Sequence, residues 1–372
     1  MTSDGSSAPG PMGDLGSLFP IGDSPAAAYR SERDDLIARV NDAVLSHPAL
    51  GELIGGCPVD LVRDNHHNHF RFMLSVFELD LPELLQQVVP WVYRAYISRG
   101  FSPDYFPVEL SAWQQAVEEE LAASEAAPIR DVYQWMLERH DKMLEASRGE
   151  EARLANPEHW DETNDQLLRM LLQGESRNAQ GLVSQRLHRA GDLSEVYLRL
   201  VQPVMYRIGT MWEDGEVSVA QEHLATAVAS RLMTLAYQEV SVFNGTRGRA
   251  IVTAAPGELH ELGARIVADL LEAAGWDITF LGANVPVDQV VALAADLEPA
   301  FVAASATMPY HLLGVRDLVR NLHAVPELSE VPVMAGGLAF NLSERAAAAV
   351  GADGTTSNGR EAVLLAEKLT GR

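Results

Sequence analysis

A histidine preceded by an acid and followed by a glycine is the feature of this sequence best suited to chemistry. Glu258, His260 and Gly263 form an acid-x-His-x-x-Gly pattern directly after the segment RAIVTAAP, a short apolar run typical of a strand. A histidine in a loop at the carboxyl end of a strand presents its imidazole to a ligand crevice. A carboxylate two residues earlier can accept a hydrogen bond from its second ring nitrogen. The pattern therefore favours a metal ligand, with a surface histidine of no chemical role as the alternative.

Further polar and small residues end the next strands of the same block. Ser305 and Thr307 end the predicted strand FVAASAT, and Gly336 and Gly337 end the predicted strand VPVMAGG. With the histidine pattern, they resemble the fingerprint of the cobalamin-binding domain of corrinoid methyl carriers, mutases and light sensors. That fingerprint reads acid-x-His-x-x-Gly, then Ser-x-Leu, then Gly-Gly, and Thr307 stands where the family often has leucine. The resemblance covers residues 247–372.

In that family the dimethylbenzimidazole tail of cobalamin leaves the cobalt and is buried in the sheet, and a histidine takes the lower axial position. The resemblance implies that His260 is this ligand and that Ser305 hydrogen-bonds the tail. Gly336 and Gly337 would let the backbone approach the tail closely. Gly282, in the loop LGANVP, would pack beside the nucleotide, although a plain strand end and a plain turn also explain Ser305 and Gly282. The predicted site comprises Glu258, His260, Gly263, Gly282, Ser305, Thr307, Gly336 and Gly337.

A second group of residues lies in the helical segment before this block. Trp212 is followed after nine residues by Glu222 and His223, so an indole ending one helix and a polar pair opening the next can meet over one pocket. The spacing resembles the cap over the upper face of cobalamin in adenosylcobalamin-dependent photoreceptors, where Trp and Glu contact the adenosyl group. Glu213 stands where some of those proteins carry a histidine that captures cobalt after photolysis. A methyl-carrier cap, or ordinary core packing of the tryptophan, is the alternative.

Periodicity divides the chain into four parts that position these residues. Residues 1–26 are rich in Gly, Ser, Pro and Asp and are predicted to be a disordered tail. Apolar residues at spacings of three and four predict an all-helical domain over 27–150 and a four-helix bundle over 160–245. Strands alternating with helices over 247–372 predict a Rossmann-like, doubly wound parallel sheet. The predicted fold class is α/β plus all-α, with ligands expected beyond the carboxyl ends of the strands.

The charge balance narrows the range of partners. The 372 residues carry 28 basic and 52 acidic side chains, and the formal net charge of −24 repels DNA, RNA and anionic membranes. A single cysteine, Cys57, excludes an internal disulfide framework and fits a reducing cytoplasm. No apolar run reaches the length needed to span a bilayer. We therefore expect a cytoplasmic protein that contacts neither nucleic acid nor membrane.

Clustered histidines mark the N-terminal helical domain. His66, His67, His69 and Arg71 lie close together on one predicted helix, and Tyr93 is among the aromatic residues of the next. Histidine and arginine can bind the propionates and ring nitrogens of a tetrapyrrole while aromatic rings pack on its face. A helical domain of this kind beside a light-sensing cobalamin module is similar to the photocobilins, which pair cobalamin with biliverdin. Solvated histidines, a haem-binding globin-like sensor and a protein-interaction module are the alternatives.

Together these resemblances predict a light sensor without catalytic turnover. It would bind adenosylcobalamin and biliverdin and form a homo-oligomer whose quaternary structure changes when light breaks the cobalt-carbon bond. It would then signal to an unidentified partner. The alternative is a corrinoid carrier protein of a methyltransferase system, which would use the same His260 site with methylcobalamin.

Overall fold

The chain forms two compact units, Met1–Leu154 and Ala155–Arg372. The computed structural model describes residues 15–149, 160–188, 192–240 and 245–371. Most of the predicted tail, at 1–14, and the segment 150–159 therefore lie outside the described residues, as do 189–191 and 241–244 within and after the predicted bundle.

The first unit is helical throughout its described residues. Apolar side chains spaced three and four apart give these helices one buried face, as in the longest of them, where Phe70, Met73 and Phe77 are buried. That helix follows Pro58 and ends at Asp80, whose left-handed φ of 53° terminates it. The helices are α1 (Asp23–Ser31), α2 (Arg33–Leu45), α3 (Leu50–Leu53), α4 (Val59–Leu79), α5 (Glu83–Ile97), α6 (Tyr105–Glu120), α7 (Ala123–Glu138) and α8 (His140–Ala146).

The predicted disorder of residues 1–26 does not hold for their described part. Leu15 and Ile21 are buried, at 4% and 6% exposure, and α1 already begins at Asp23. The composition of this segment is that of a disordered tail, but two well-spaced apolar side chains are enough to anchor it on the helical core.

The second unit opens with a helical bundle. The helix α9 begins at a capping box, in which the Asp161 carboxylate accepts from the backbone of Asn164 and the Asn164 side chain accepts from the backbone of Asp161. The bundle contains α9 (Glu162–Leu172), α10 (Ser176–Ser184), a long helix made of α11 (Asp192–Val196), a π turn (Tyr197–Val201) and α12 (Gln202–Glu213), and α13 (Val219–Val240).

The π turn has an identifiable cause in the sequence. Pro203 has no N–H, so it cannot bond to the carbonyl of Arg199 as a regular helix would require. The Asn164 side chain, which is 1% exposed, donates to that carbonyl instead at 3.0 Å. The long helix is thereby tied to α9 at the point where its own hydrogen bonding is interrupted.

The rest of the second unit is a five-stranded parallel sheet with the strand order β2-β1-β3-β4-β5. The strands are mostly buried and rich in Ala, Val and Ile, as parallel strands covered on both faces are. The strands are β1 (Arg249–Ala254), β2 (Asp277–Phe280), β3 (Val302–Ser305), β4 (Val333–Gly336) and β5 (Gly354–Thr356). The helices are α14 (Leu262–Ala273), α15 (Val287–Leu297), α16 (Leu312–His323), α17 (Leu338–Asn341), α18 (Ala346–Val350) and α19 (Gly359–Thr370). The predicted fold class, a doubly wound sheet preceded by helices, is confirmed.

The bundle and the sheet share one core. Ile266 and Leu270, on α14, belong to the same buried cluster as the bundle's apolar residues. The Tyr197 hydroxyl, on the π turn, donates to the Asp269 carboxylate at 2.7 Å in a buried position. The first helix of the sheet is therefore also a packing surface for the bundle. Among the described helices, none combines the length and the apolar character needed to cross a membrane.

We expect Asn164→Ala to lower the free energy of unfolding by about 1 to 3 kcal/mol, because it removes the hydrogen bond from the buried Asn164 side chain to the Arg199 carbonyl and the bond that this side chain accepts in the capping box. Asn178→Ala, which removes an exposed amide from the neighbouring helix α10, is the matched control and should change it by less than about 0.5 kcal/mol. Guanidinium unfolding of the full chain measures the free energy of unfolding of both variants. Equal losses in the two variants would contradict this account of the π turn.

Candidate functional site

The register of the sheet sets predicted site residues side by side at one edge. Ser305, the last residue of β3, pairs with Ala254, the last of β1, and with Gly336, the last of β4. The loops after these strands therefore emerge next to one another. Because β1 and β3 are neighbours in the sheet while β2 lies between them in sequence, this edge is the crevice where doubly wound sheets bind ligands.

A buried carboxylate joins the loops at this edge. The Glu258 side chain, 1% exposed, accepts through Oε1 from the backbone N–H of His260 at 3.0 Å and pairs with the His260 Nδ1 at 2.5 Å. Its Oε2 accepts from the backbone N–H groups of Thr307 at 2.9 Å and Met308 at 3.1 Å. The buried ring of His311 lies 4.0 Å from the same oxygen. Glu258 thus links the loop after β1 to the loop after β3.

The electrostatics of this pair favour an ionised carboxylate beside a basic imidazole. Burial alone would raise the pKa of Glu258, but the hydrogen bonds and charge of His260 lower it to about 2. In turn the hydrogen bond to Glu258 raises the pKa of His260 against the opposing effect of burial, and the charges of Glu258 and Glu222 add to the rise. A carboxylate on one ring nitrogen fixes the orientation of an imidazole and increases its basicity as a metal ligand.

His260 is placed to offer its other nitrogen outward. Its side chain is 61% exposed, and with Nδ1 bonded to Glu258, Nε2 is the atom available to a ligand. Leu259 beside it is 73% exposed. Within the described ranges, no group of three or more His, Cys, Asp or Glu side chains is arranged to hold a metal ion.

A slot opens beside this histidine. A Cβ added at Gly263 would meet only the Ser305 hydroxyl, 3.9 Å away, so these two residues border open space. A Cβ at Gly337, where φ is +96°, would come within 2.4 Å of the Ala306 carbonyl, so this position requires glycine. A single outward imidazole, with open space beside Gly263, fits a metal that brings its other ligands and an attached tail, as the cobalt of a corrinoid does.

The loop after β2 closes the same edge. Gly282 has a left-handed φ of +74°, and its carbonyl accepts from the backbone of Ala254 at 2.9 Å. Asn284, also left-handed at φ 54°, donates its N–H to the Glu258 carbonyl at 3.0 Å and accepts from Gly257 at 3.2 Å. Sequence reasoning missed Asn284, Met308 and His311. The only signal for Asn284 was its position after Gly282, since Gly and Asn tolerate positive φ.

The predicted cap residues stand where α12 ends and α13 begins. Trp212 is half-buried, and Glu222 is held by the His223 ring at 2.6 Å and by the Thr226 hydroxyl at 2.8 Å. His223 is 75% exposed. Because Glu222 contributes to the raised pKa of His260, the structure brings the start of α13 and the His260 loop into electrostatic range of one another.

The clustered histidines of the first unit do not converge. His66 is fully buried and bonded to the Asn41 side chain at 2.8 Å and the Tyr105 hydroxyl at 3.1 Å, and burial lowers its pKa to about 4. His67 is exposed and bonded to the carbonyl of Arg63 in its own helix. Among the described residues, His66 and His67 share no hydrogen-bond partner.

The third histidine belongs to a separate aromatic cluster. His69 stacks on Trp113 at 5.0 Å and is bonded to the Tyr133 hydroxyl at 3.2 Å, and burial lowers its pKa to about 3. Its Nδ1 lies 3.8 Å from Glu109, a carboxyl that is 6% exposed and whose pKa burial raises to about 7.

The other bilin candidates are also engaged in packing. Tyr93 stacks on Phe106 with ring centroids 3.6 Å apart and is bonded to His140 at 3.0 Å. Arg71 is half-buried on α4. The structure therefore gives the buried histidines and Tyr93 partners inside the helical core and does not gather the candidates around a common pocket.

The chain matches two family models, each described as a B12 binding domain, over residues 163–237 and 248–364. It is 32% identical over 179 residues to monomethylamine corrinoid protein 1 of Methanosarcina acetivorans, a match that covers 46% of this chain and 81% of that protein. It is 26% identical over 167 residues to dimethylamine corrinoid protein 2 of the same organism, covering 44% and 76%. The solved structure of Methanosarcina barkeri monomethylamine corrinoid protein aligns with a TM-score of 0.50 and 26% identity, covering 56% of this chain and 98% of that one.

These relatives overturn the light-sensor prediction. They are corrinoid proteins named for methylamines, and the matched models cover both the bundle and the sheet. The prediction of a photoreceptor that signals through adenosylcobalamin and biliverdin is therefore wrong, and the alternative, a corrinoid carrier, agrees with them. The Trp-x9-Glu-His spacing misled because it lies within residues 163–237, which match a general B12 binding domain model, so it does not single out photoreceptors.

The raised pKa of the buried Glu109 predicts how the stability of the chain depends on pH. The folded chain keeps the Glu109 proton up to about pH 7, whereas the unfolded chain loses it near 4.5, so this group's contribution to stability falls as pH rises between those values. His66 and His69 act oppositely, because their stabilisation is present above 6.5 and is lost as pH falls toward about 4 and 3. We therefore expect the free energy of unfolding of Glu109→Gln, relative to that of wild type, to increase by about 2 to 3 kcal/mol between pH 5 and pH 8.

Guanidinium unfolding of the full chain, followed by tryptophan fluorescence at both pH values, measures this gain. The control is Glu118→Gln, on the same helix but with a side chain 51% exposed. If both variants follow the wild-type pH dependence, Glu109 is ionised in the folded chain and the prediction fails.

Proposed function

This chain belongs to the family of corrinoid proteins built from B12 binding domains, and we propose that it carries methyl groups on a protein-bound corrinoid. When bound, the corrinoid supplies a cobalt that accepts a methyl group and gives it up again. The observation that carries the proposal is the 32% identity to a monomethylamine corrinoid protein across 81% of that protein's length. The outward imidazole of His260 on its buried carboxylate supports it independently.

In this proposal the chain's own residues have distinct tasks. His260 would ligate the cobalt through Nε2, because Glu258 holds its Nδ1. Ser305 and Gly263 border the space that would receive the nucleotide tail. Gly282, Thr307, Gly336 and Gly337 shape the loops around it through their backbone contacts.

The bundle serves as the cover for the opposite face. Trp212, which is half-buried, lies near the end of α12, and Glu222, which accepts from the Thr226 hydroxyl, lies near the start of α13; in this proposal they would cover the upper face. A methyl group is small, so this cover needs no room for an adenosyl group. The upper group we propose is accordingly methyl.

The proposed partners follow from the task. A carrier has no turnover of its own, so in this proposal the chain is not an enzyme. Its partners are the methyltransferases that load and unload it. We propose that it meets them in the cytoplasm. Self-association and the role of the first unit stay predictions. Binding of a linear tetrapyrrole by residues 27–150 also stays a prediction, and the internal hydrogen bonds of His66 and Tyr93 weigh against it.

Identifying the corrinoid that the protein carries in its own cells tests the proposed function. Protein purified in dim light should release, on denaturation, a corrinoid whose upper group is methyl or water, as mass spectrometry of the extract would identify. Gel filtration of the loaded protein should give one elution volume before and after green light. A predominantly adenosylated extract, or a light-dependent change of volume, would contradict a methyl carrier.

We expect His260→Ala to lose nitrogen ligation of cobalt without unfolding the domain, because the residue lies in an exposed loop outside the strand core. The electron paramagnetic resonance spectrum of the cobalt(II) form should lose the nitrogen splitting that an axial imidazole produces. His188→Ala, at an exposed position of the bundle, is the control and should keep that splitting. Splitting that survives in His260→Ala would rule out His260 as the ligand.

A further inference from the structure

Glu222 is a fixed charge rather than a mobile surface acid. Both of its carboxylate oxygens are engaged, one by the His223 ring at 2.6 Å and the other by the Thr226 hydroxyl at 2.8 Å. The side chain is 28% exposed. These contacts all lie within α13, so the carboxylate is held in one place relative to the helix.

The direction of α13 determines where the Glu222 carboxylate lies relative to the start of α14. Arg265 of α14 contacts Thr234 at 3.4 Å, and further along both helices Tyr237 donates to Glu272 at 2.5 Å, so the two helices run in the same general direction. Glu222 precedes Thr234 by twelve residues, roughly 18 Å of helix, whereas α14 begins only three residues, roughly 4.5 Å, before Arg265.

Counted from the Arg265 contact, the first turns of α13 extend about 13 Å beyond the start of α14, and counted from the Glu272 contact they extend about 8 Å. Since α14 begins two residues after His260, the turns of α13 that carry Glu222 reach past the loop that holds this histidine. The effect of Glu222 in raising the pKa of His260 agrees with that placement.

We propose that Glu222 faces the cobalt of the bound corrinoid from the side opposite His260 and that its negative charge favours the more oxidised, more positive cobalt. The proposal rests on the proposed function, because it assumes the corrinoid in that site. No bond to Glu222 forms or breaks. The carboxylate acts through its field, which in a partly desolvated site is far stronger than in water.

The consequence is a lower midpoint potential for the one-electron step from cobalt(II) to cobalt(I). The electron would come from an external low-potential one-electron donor, and the reduced cobalt would take the methyl group from its donor, whose leaving group would keep the electron pair of the broken bond. By raising the free energy of cobalt(I), Glu222 makes that state rarer and more strongly nucleophilic. Glu222 would thus be a residue that tunes the carrier rather than one that binds the methyl group.

The test is an anaerobic titration of the full-length, corrinoid-loaded protein with titanium(III) citrate, followed by absorbance. Glu222→Gln keeps the size and hydrogen-bonding capacity of the side chain and removes the charge. We expect it to favour reduction about tenfold, which equals an upward shift of about 59 mV for a one-electron couple. Glu239→Gln, which removes an exposed charge near the far end of the same helix, should leave the potential at the wild-type value.

Equal potentials in wild type and Glu222→Gln, or equal shifts in both variants, would overturn the proposal. Glu222→Ala, which also removes the charge, should shift the potential in the same direction and serves if the glutamine variant fails to fold. The nitrogen splitting of the cobalt(II) spectrum is recorded first on each sample. Its absence in wild type would refute the His260 site and the proposed function, whereas its presence with an unshifted potential refutes only the role of Glu222.

Discussion

The geometry at the edge of the sheet depends on the buried carboxylate of Glu258. A charge with 1% exposure is tolerated only if it is well bonded, and here it accepts from a backbone N–H and a ring nitrogen of His260 and from two backbone N–H groups 49 and 50 residues further along the chain. Replacing any of these donors by solvent would leave a poorly compensated buried charge. The requirement to satisfy Glu258 therefore fixes where two loops lie, and with them the direction of the imidazole.

The bundle is subject to a related constraint. The bundle contacts the sheet domain through apolar side chains along α14. Polar groups at this contact are hydrogen-bonded to one another, as Tyr197 is to Asp269. A helix that must serve both a sheet and a bundle needs two apolar faces, which accounts for the buried positions of Ile266 and Leu270 on the side of the bundle and of Ala264 and Leu271 on the side of the strands. The bundle is thus packed on the same helix that follows the histidine loop.

Much of this architecture is visible in the sequence because its signals are local. Parallel strands buried on both faces read as short apolar runs, and Glu258, His260 and Gly263 lie within six residues of each other. The contacts of Met308 and Asn284 are not visible, since they are made by backbone atoms that no side-chain pattern records. His66 and His69 show the opposite problem, because a sequence does not distinguish a histidine bonded inside a helical core from one that binds a ligand. The predicted function failed where it relied on a spacing in the cap that several kinds of corrinoid protein can share.

The His260 loop is held by contacts within the chain, those of His260 with the Glu258 carboxylate and the hydrogen bond from the Asn284 N–H to the Glu258 carbonyl. Flexible loops lose conformational entropy when a ligand immobilises them, and that loss weakens binding. Here the loss occurs once, during folding, so the loop has little left to lose when a corrinoid arrives. The affinity then reflects the contacts of the ligand almost in full.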